Sequence, residues 1–212
     1  MVTPTPSLDL EPIVFGFDRE TAVIEYKSGI GWDEMGRRAQ RELVRDLMAF
    51  GNADTFGYLV VGVSQTDSGM YERSGISEEQ AASYDPTPIG EVVRTYSDPE
   101  VQFTIHVPEF QGRRFVMFRV APFATVPHIC RQSYDNVLEQ AEIYVRADNA
   151  QSIKVPTAQH MRRLVERATF NQRESLLAQI RELVGPGAGP ARPPSSQQWF
   201  RDRISRLLGR EP

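Results

Sequence analysis

The sequence predicts an α/β (α+β) fold: a mixed, mainly antiparallel sheet covered by helices, followed by a helical extension toward the C-terminal end. Three patterns carry this expectation. Val101, Phe103, Ile105 and Val107 alternate with Gln102, Thr104 and His106, the period of a strand with one buried face. Tyr58 to Val63 is a near-continuous apolar run of strand length, which suits a central strand buried on both sides. Met35, Ala39, Leu43 and Leu47 recur every four residues, the stripe of a helix that packs on a sheet.

Taken in order, residues 1–17 read as an extended lead-in, because Pro4, Pro6 and Pro12 oppose a regular helix. Alternation over Ala22 to Lys27 predicts the first strand, and a helix over Asp33 to Phe50 follows it. Asn52 and Gly57 separate that helix from the Tyr58 strand. Ser77 to Gln80 is an S-x-x-Q capping box that opens a short helix, and a second helix is predicted over Ile89 to Tyr96. Arg114 to Val120 is expected to pair with the Val101 strand across a turn at Gly112. Glu142 to Arg146 is the last predicted strand, with Asp148 and Asn149 as turn residues.

The main domain is thereby expected over residues 18–156. Thr157 opens a helical extension over 157–184: Ala158, Met161, Val165 and Ala168 form one stripe, Asn171 marks a break, and Leu176, Ile180 and Leu183 continue it. Residues 185–198, GPGAGPARPPSSQQ, have the composition of a flexible linker. In the last segment, 199–212, Phe200, Ile204, Leu207 and Leu208 line one side of a short amphipathic helix. So short a helix needs a surface, which predicts docking onto another protein, in a homo-oligomer or a larger complex, or onto the body of the chain, with membrane-surface binding as the alternative.

Composition bounds the function classes. At 212 residues, 40% hydrophobic and 25% charged, the chain is long enough to bury a core. No apolar run reaches the roughly 18 to 20 residues of a membrane span, and no basic n-region precedes an apolar h-region, so a cytoplasmic protein is expected. The single cysteine, Cys130, excludes an internal disulfide framework and any multi-cysteine zinc site, and reads as a buried thiol. Residues 1–156 carry 14 Lys and Arg against 23 acids, whereas 157–212 carry ten Arg against five. An acidic body is no general clamp for phosphates, so nucleic acid binding needs local arginines or a metal.

The candidate chemistry lies at the first strand. Glu20, Glu25 and Lys27 form an E-x4-E-Y-K pattern, and the two-residue period puts Glu25 and Lys27 on one face. Two carboxylates can ligate a hard divalent cation, and a lysine beside them can steady a phosphate or a developing negative charge. The competing reading of the same residues is a structural salt bridge. Arg37, Arg38, Arg41 and Arg45 on the following helix read either as a solvated face or as a positive rim for phosphates.

These landmarks occur in an order that resembles the Schlafen-type, AlbA-like nucleic-acid-binding domain. Glu20, Glu25 and Lys27 are followed by Ala49-Phe50-Gly51-Asn52-Ala53, similar to the family's A-F-A-N-T. Gly57 to Val63 is similar to its G-G-x-L-x-I-G-V strand, with Phe56 in place of the first glycine. Phe115 to Pro127 and Ile143-Tyr144-Val145-Arg146 are similar to its later strands. The resemblance implies binding of RNA or single-stranded DNA, with Lys27, Arg37, Arg41 and Arg146 near the phosphates. It also implies dimers or higher assemblies and, for bacterial relatives, a setting in phage defence.

Nuclease members of that family use three carboxylates with Mg2+ or Mn2+ for phosphodiester hydrolysis. Glu20 and Glu25 match two of them. At the third place this chain has Ser64, and the nearest acid is Asp67, which makes Glu20, Glu25 and Asp67 the candidate ligand set, with Lys27 as the charge stabiliser. No Walker-type or dinucleotide-binding glycine motif is present, so ATP is not expected. The alternative is a non-catalytic assembly or regulatory subunit that docks to a larger partner through its C-terminal helix.

Overall fold

The computed structural model describes residues 19–184. The predicted lead-in, linker and docking helix at 1–17, 185–198 and 199–212 lie outside them. In chain order the elements begin β1 (Ile24–Lys27), α1 (Arg37–Gly51), β2 (Gly57–Val61), β3 (Ser64–Gln65), β4 (Tyr71–Glu72), α2 (Glu78–Ala82), α3 (Pro86–Tyr96) and β5 (Ser97–Asp98). They continue β6 (Phe103–His106), β7 (Glu109–Phe110), β8 (Arg113–Arg114), β9 (Val116–Val120), β10 (Ile129–Cys130), β11 (Tyr144–Arg146), β12 (Ser152–Lys154) and α4 (Ala158–Val184). Among the described residues, those up to Thr169 form one compact unit and those from Phe170 belong to a second.

The main sheet has the order β1-β2-β9-β6. β1 runs parallel to β2, with α1 as the crossover between them, while β9 is antiparallel to both β2 and β6. The apolar Tyr58 run becomes the interior strand β2, as its continuous hydrophobicity predicts. Alternation divides the side chains between two faces. Leu59, Val61, Val116, Phe118 and Val120 join Leu43, Leu47 and Phe50 of α1 in one core, and Ile24, Tyr26, Val60 and Met117 pack with Val63 and Phe115 in another. Each such fully buried side chain contributes about 1.5–3 kcal/mol of transfer free energy. On β1, the residues between Ile24 and Tyr26 and beyond therefore face α1.

Several boundaries differ from expectation for local reasons. α1 starts at Arg37 rather than Asp33, because Gly31 to Met35 closes a turn in which the Gly31 carbonyl accepts from Glu34 and Met35, and Gly36 is extended. Asp85 caps α3 through Thr87 N–H at 2.7 Å, so that helix opens at Pro86, whose missing N–H costs nothing at a first turn. The box at Ser77 and Gln80 forms in both directions. The segment predicted as one strand over Arg114 to Val120 divides: Arg113–Arg114 pairs with Glu109–Phe110 around Gly112, at φ 71°, and β9 alone pairs with β6. Beyond β11 the chain turns at Asp148-Asn149 and returns as β12, a strand the sequence did not announce. α4 runs through Asn171 without the expected break. Its first turns pack Leu164 against Phe123, Ile143 and Val145.

Candidate functional site

Glu25 and Lys27 do share a face, and that face is turned into the protein. Glu25 is 9% exposed. Its Oε1 lies 2.7 Å from the Lys27 ammonium and its Oε2 2.7 Å from Arg146 Nη1. Lys27 also meets Asp46 Oδ2 of α1 at 2.8 Å, and Arg45 approaches the other oxygen of Asp46 at 3.7 Å. Burial by itself lowers the ammonium of Lys27, but Asp46 and then Glu25 outweigh it and hold that charge above its ordinary range. The result is a linked, charge-balanced set, Arg146–Glu25–Lys27–Asp46, running from β11 through β1 to α1.

The fold holds each member in place. The Arg146 side chain is 2% exposed; it lies 4.6 Å over the Phe50 ring and donates to Ser152 Oγ at 3.0 Å and to the Thr21 carbonyl at 3.3 Å. Phe50 can sit there because Gly57 lacks a side chain: a Cβ on Gly57 would stand 2.2 Å from that ring. Asn52, buried at the end of α1, donates to the carbonyls of His128 and Tyr144 at 2.9 Å each and accepts from His128 N–H at 2.8 Å. It thereby ties β11, and with it Arg146, to α1. Phe50, Asn52 and Gly57 in the matching motifs thus have packing and hydrogen-bonding duties around Arg146.

Glu20 serves a different part of β1. Its Oε1 accepts from Tyr26 N–H at 3.1 Å, and Thr21 accepts from Ile24 N–H through its hydroxyl at 3.1 Å. β1 is the outer strand of the sheet, so these two bonds occupy donors that an added strand would use. Burial, and next the charge of Glu25, raise the Glu20 carboxyl above its ordinary value.

Both oxygens of Glu25 are held by cations, Glu20 is engaged with backbone, and Asp67 is exposed in the turn between β3 and β4. Among the described residues no three His, Cys, Asp or Glu side chains come together in a group that could hold a metal ion. This donor set does not fit Mg2+ or Mn2+, because a cation at Glu25 must displace two better-placed positive groups.

The predicted phosphate contacts divide similarly. Arg146 is enclosed in the centre rather than presented at its mouth. Arg41 is half-buried against the rings of Tyr96 and Tyr134, 5.2 Å from each, and Arg37 is exposed at the start of α1. A cavity of about 330 Å³ lies against the centre, with Val23, Thr55, Arg146, His160 and Arg163 in its wall. His128 and Cys130 are buried; burial lowers the His128 imidazole and raises the Cys130 thiol.

Asp46 was missed. Its signal was available: an acid flanked by Leu43, Val44, Leu47 and Met48, all buried, must itself be buried or nearly so and needs a cation.

One similar structure is the DIP2311 protein from Corynebacterium diphtheriae, 15% identical, with a TM-score of 0.44 over 66% of this chain and 23% of that one. This chain therefore spans under a quarter of that protein's length. Another is the N-terminal domain of a RecG-related protein from Nitrosomonas europaea, 21% identical, with a TM-score of 0.36 over 54% of this chain and 71% of that domain. No curated protein matches. Residues 20–155, the segment that contains β1 to β12, match the Schlafen, AlbA_2 family, and the chain belongs to that family.

Proposed function

We propose that this chain binds nucleic acid, RNA or single-stranded DNA, and does not cleave it, the carboxylates of its first strand acting as internal counter-ions. Family membership supports the nucleic-acid part. The observation that carries the non-cleaving part is Glu25, with one oxygen 2.7 Å from Lys27 and the other 2.7 Å from Arg146. A carboxylate so paired is neither free to ligate a cation nor placed to activate water, and Lys27 is neutralised by Asp46 rather than available to a phosphate. No hydrolytic step is assigned.

The test is an electrophoretic shift with labelled single-stranded RNA and DNA over a range of salt. The reading requires a shift that weakens steeply with salt, since phosphate contacts release counterions. No shift with any strand overturns it. A second reading, a subunit that assembles with a protein partner, is favoured by α4, on which Leu176, Ile180 and Leu183 are 57%, 45% and 86% exposed. Co-sedimentation with a stable complex and no shift selects that reading instead.

A further inference from the structure

The face of the main sheet turned away from α1 carries a patch with no role so far. β2, β9 and β6 align Tyr58, Arg119 and Thr104 in one cross-strand row. Phe56 and His106 stand on the same face by the two-residue period. Phe56 and Thr104 are exposed, and Tyr58, His106 and Arg119 are half-buried. The Arg119 guanidinium carbon lies over the Phe56 ring, 3.7 Å from its centre. No carboxylate lies within this row, and Arg119 forms no ion pair among the described residues, while its buried Nε has no hydrogen-bond partner. Thr104 Oγ1 and His106 Nε2 are 2.9 Å apart. Burial and then the positive charge of Arg119 lower the His106 imidazole, which favours its neutral form, able both to donate and to accept.

We infer that this patch is the docking surface for a single nucleic-acid strand, with a base stacked on the Phe56–Arg119 pair or on Tyr58, a phosphate on Arg119, and Thr104 and His106 as hydrogen-bonding groups. The inference rests on the proposed nucleic-acid role and locates it. Three properties of the patch suit such a strand. A half-buried, unpaired guanidinium in an otherwise acidic body attracts an anion. A guanidinium seated over an aromatic ring offers a base both the ring and the cation to stack on. A sheet face spaces its side chains regularly enough to meet successive nucleotides.

The probe is a labelled mixed-sequence single-stranded RNA, with binding measured for the wild type, Arg119→Ala, Phe56→Ala and Thr104→Glu. Thr104 is exposed, so its substitution reports on the surface even where the other two disturb packing, and thermal melts accompany all four proteins. The surface predicts a loss of roughly tenfold or more for each variant, the order expected for one stacking or phosphate contact. Crosslinking of a thiouridine-substituted RNA is expected in the peptide that contains Phe56 and Tyr58. Wild-type binding with unchanged variants, or crosslinks confined to α1 or α4, overturns the surface and leaves the nucleic-acid role intact. Failure of the wild type to bind any strand overturns both.

Discussion

Arg146 and Glu25 meet at 2.7 Å in a place where the arginine side chain is 2% exposed, so neither charge has water to fall back on. Removing one partner leaves the other buried and uncompensated. Arg146→Ala is expected to cost about 3–5 kcal/mol in urea unfolding, and Glu25→Ala a comparable amount. The double substitution is expected to cost less than the sum of the two, because each single variant strands a charge that the double variant removes. Strict additivity contradicts a direct pair.

Lys27 and Asp46 give a second test from the opposite direction. Replacing both with apolar residues of similar shape, Lys27→Met with Asp46→Leu, is expected to be milder than Asp46→Leu alone, since a buried pair stabilises little beyond its own desolvation cost. Melting temperatures of the three proteins decide it.

Gly57 is a steric requirement. A methyl group there meets Phe50 at 2.2 Å, and Phe50 is fully buried with Arg146 over its ring. Gly57→Ala is expected to destabilise by about 1–3 kcal/mol, the range for overpacking, and Gly57→Ala with Phe50→Leu to recover part of that loss.

Two groups set opposite pH trends. Folding depresses His128, so its contribution is complete above the ordinary imidazole value of about 6.5 and is lost as pH falls through the folded value. Folding raises Glu20, so that carboxyl adds stability as pH falls toward its ordinary range. Between about pH 7.5 and 5 the unfolding midpoint of the wild type is expected to fall relative to that of His128→Gln, and that of Glu20→Gln to fall relative to the wild type.

Periodicity disclosed the sheet because β2, β6 and β9 are bounded by plain hydrophobic patterns, and the same alternation correctly put Glu25 and Lys27 on one face. Which face was not legible. That depended on Ile24 and Tyr26 joining the second core, a property of the assembled sheet rather than of the strand. β12 went unseen because Ser152-Ile153-Lys154 is too short to show a period, and its strand exists through pairing with β11. The break expected at Asn171 lost to helix continuation, because an asparagine ends a helix only when its side chain takes over a backbone hydrogen bond. Arg41 was readable as a phosphate contact from charge alone, whereas its ring partners come from 55 and more residues away.

The decisive measurement is incubation of single-stranded RNA with the purified protein in Mg2+ and in Mn2+, beside Glu20→Gln and Glu25→Gln. With an ion-paired Glu25 the RNA is bound and recovered at full length in every sample. Cleavage by the wild type that both substitutions abolish contradicts that role, and makes the pair at Glu25 a resting arrangement that a metal displaces.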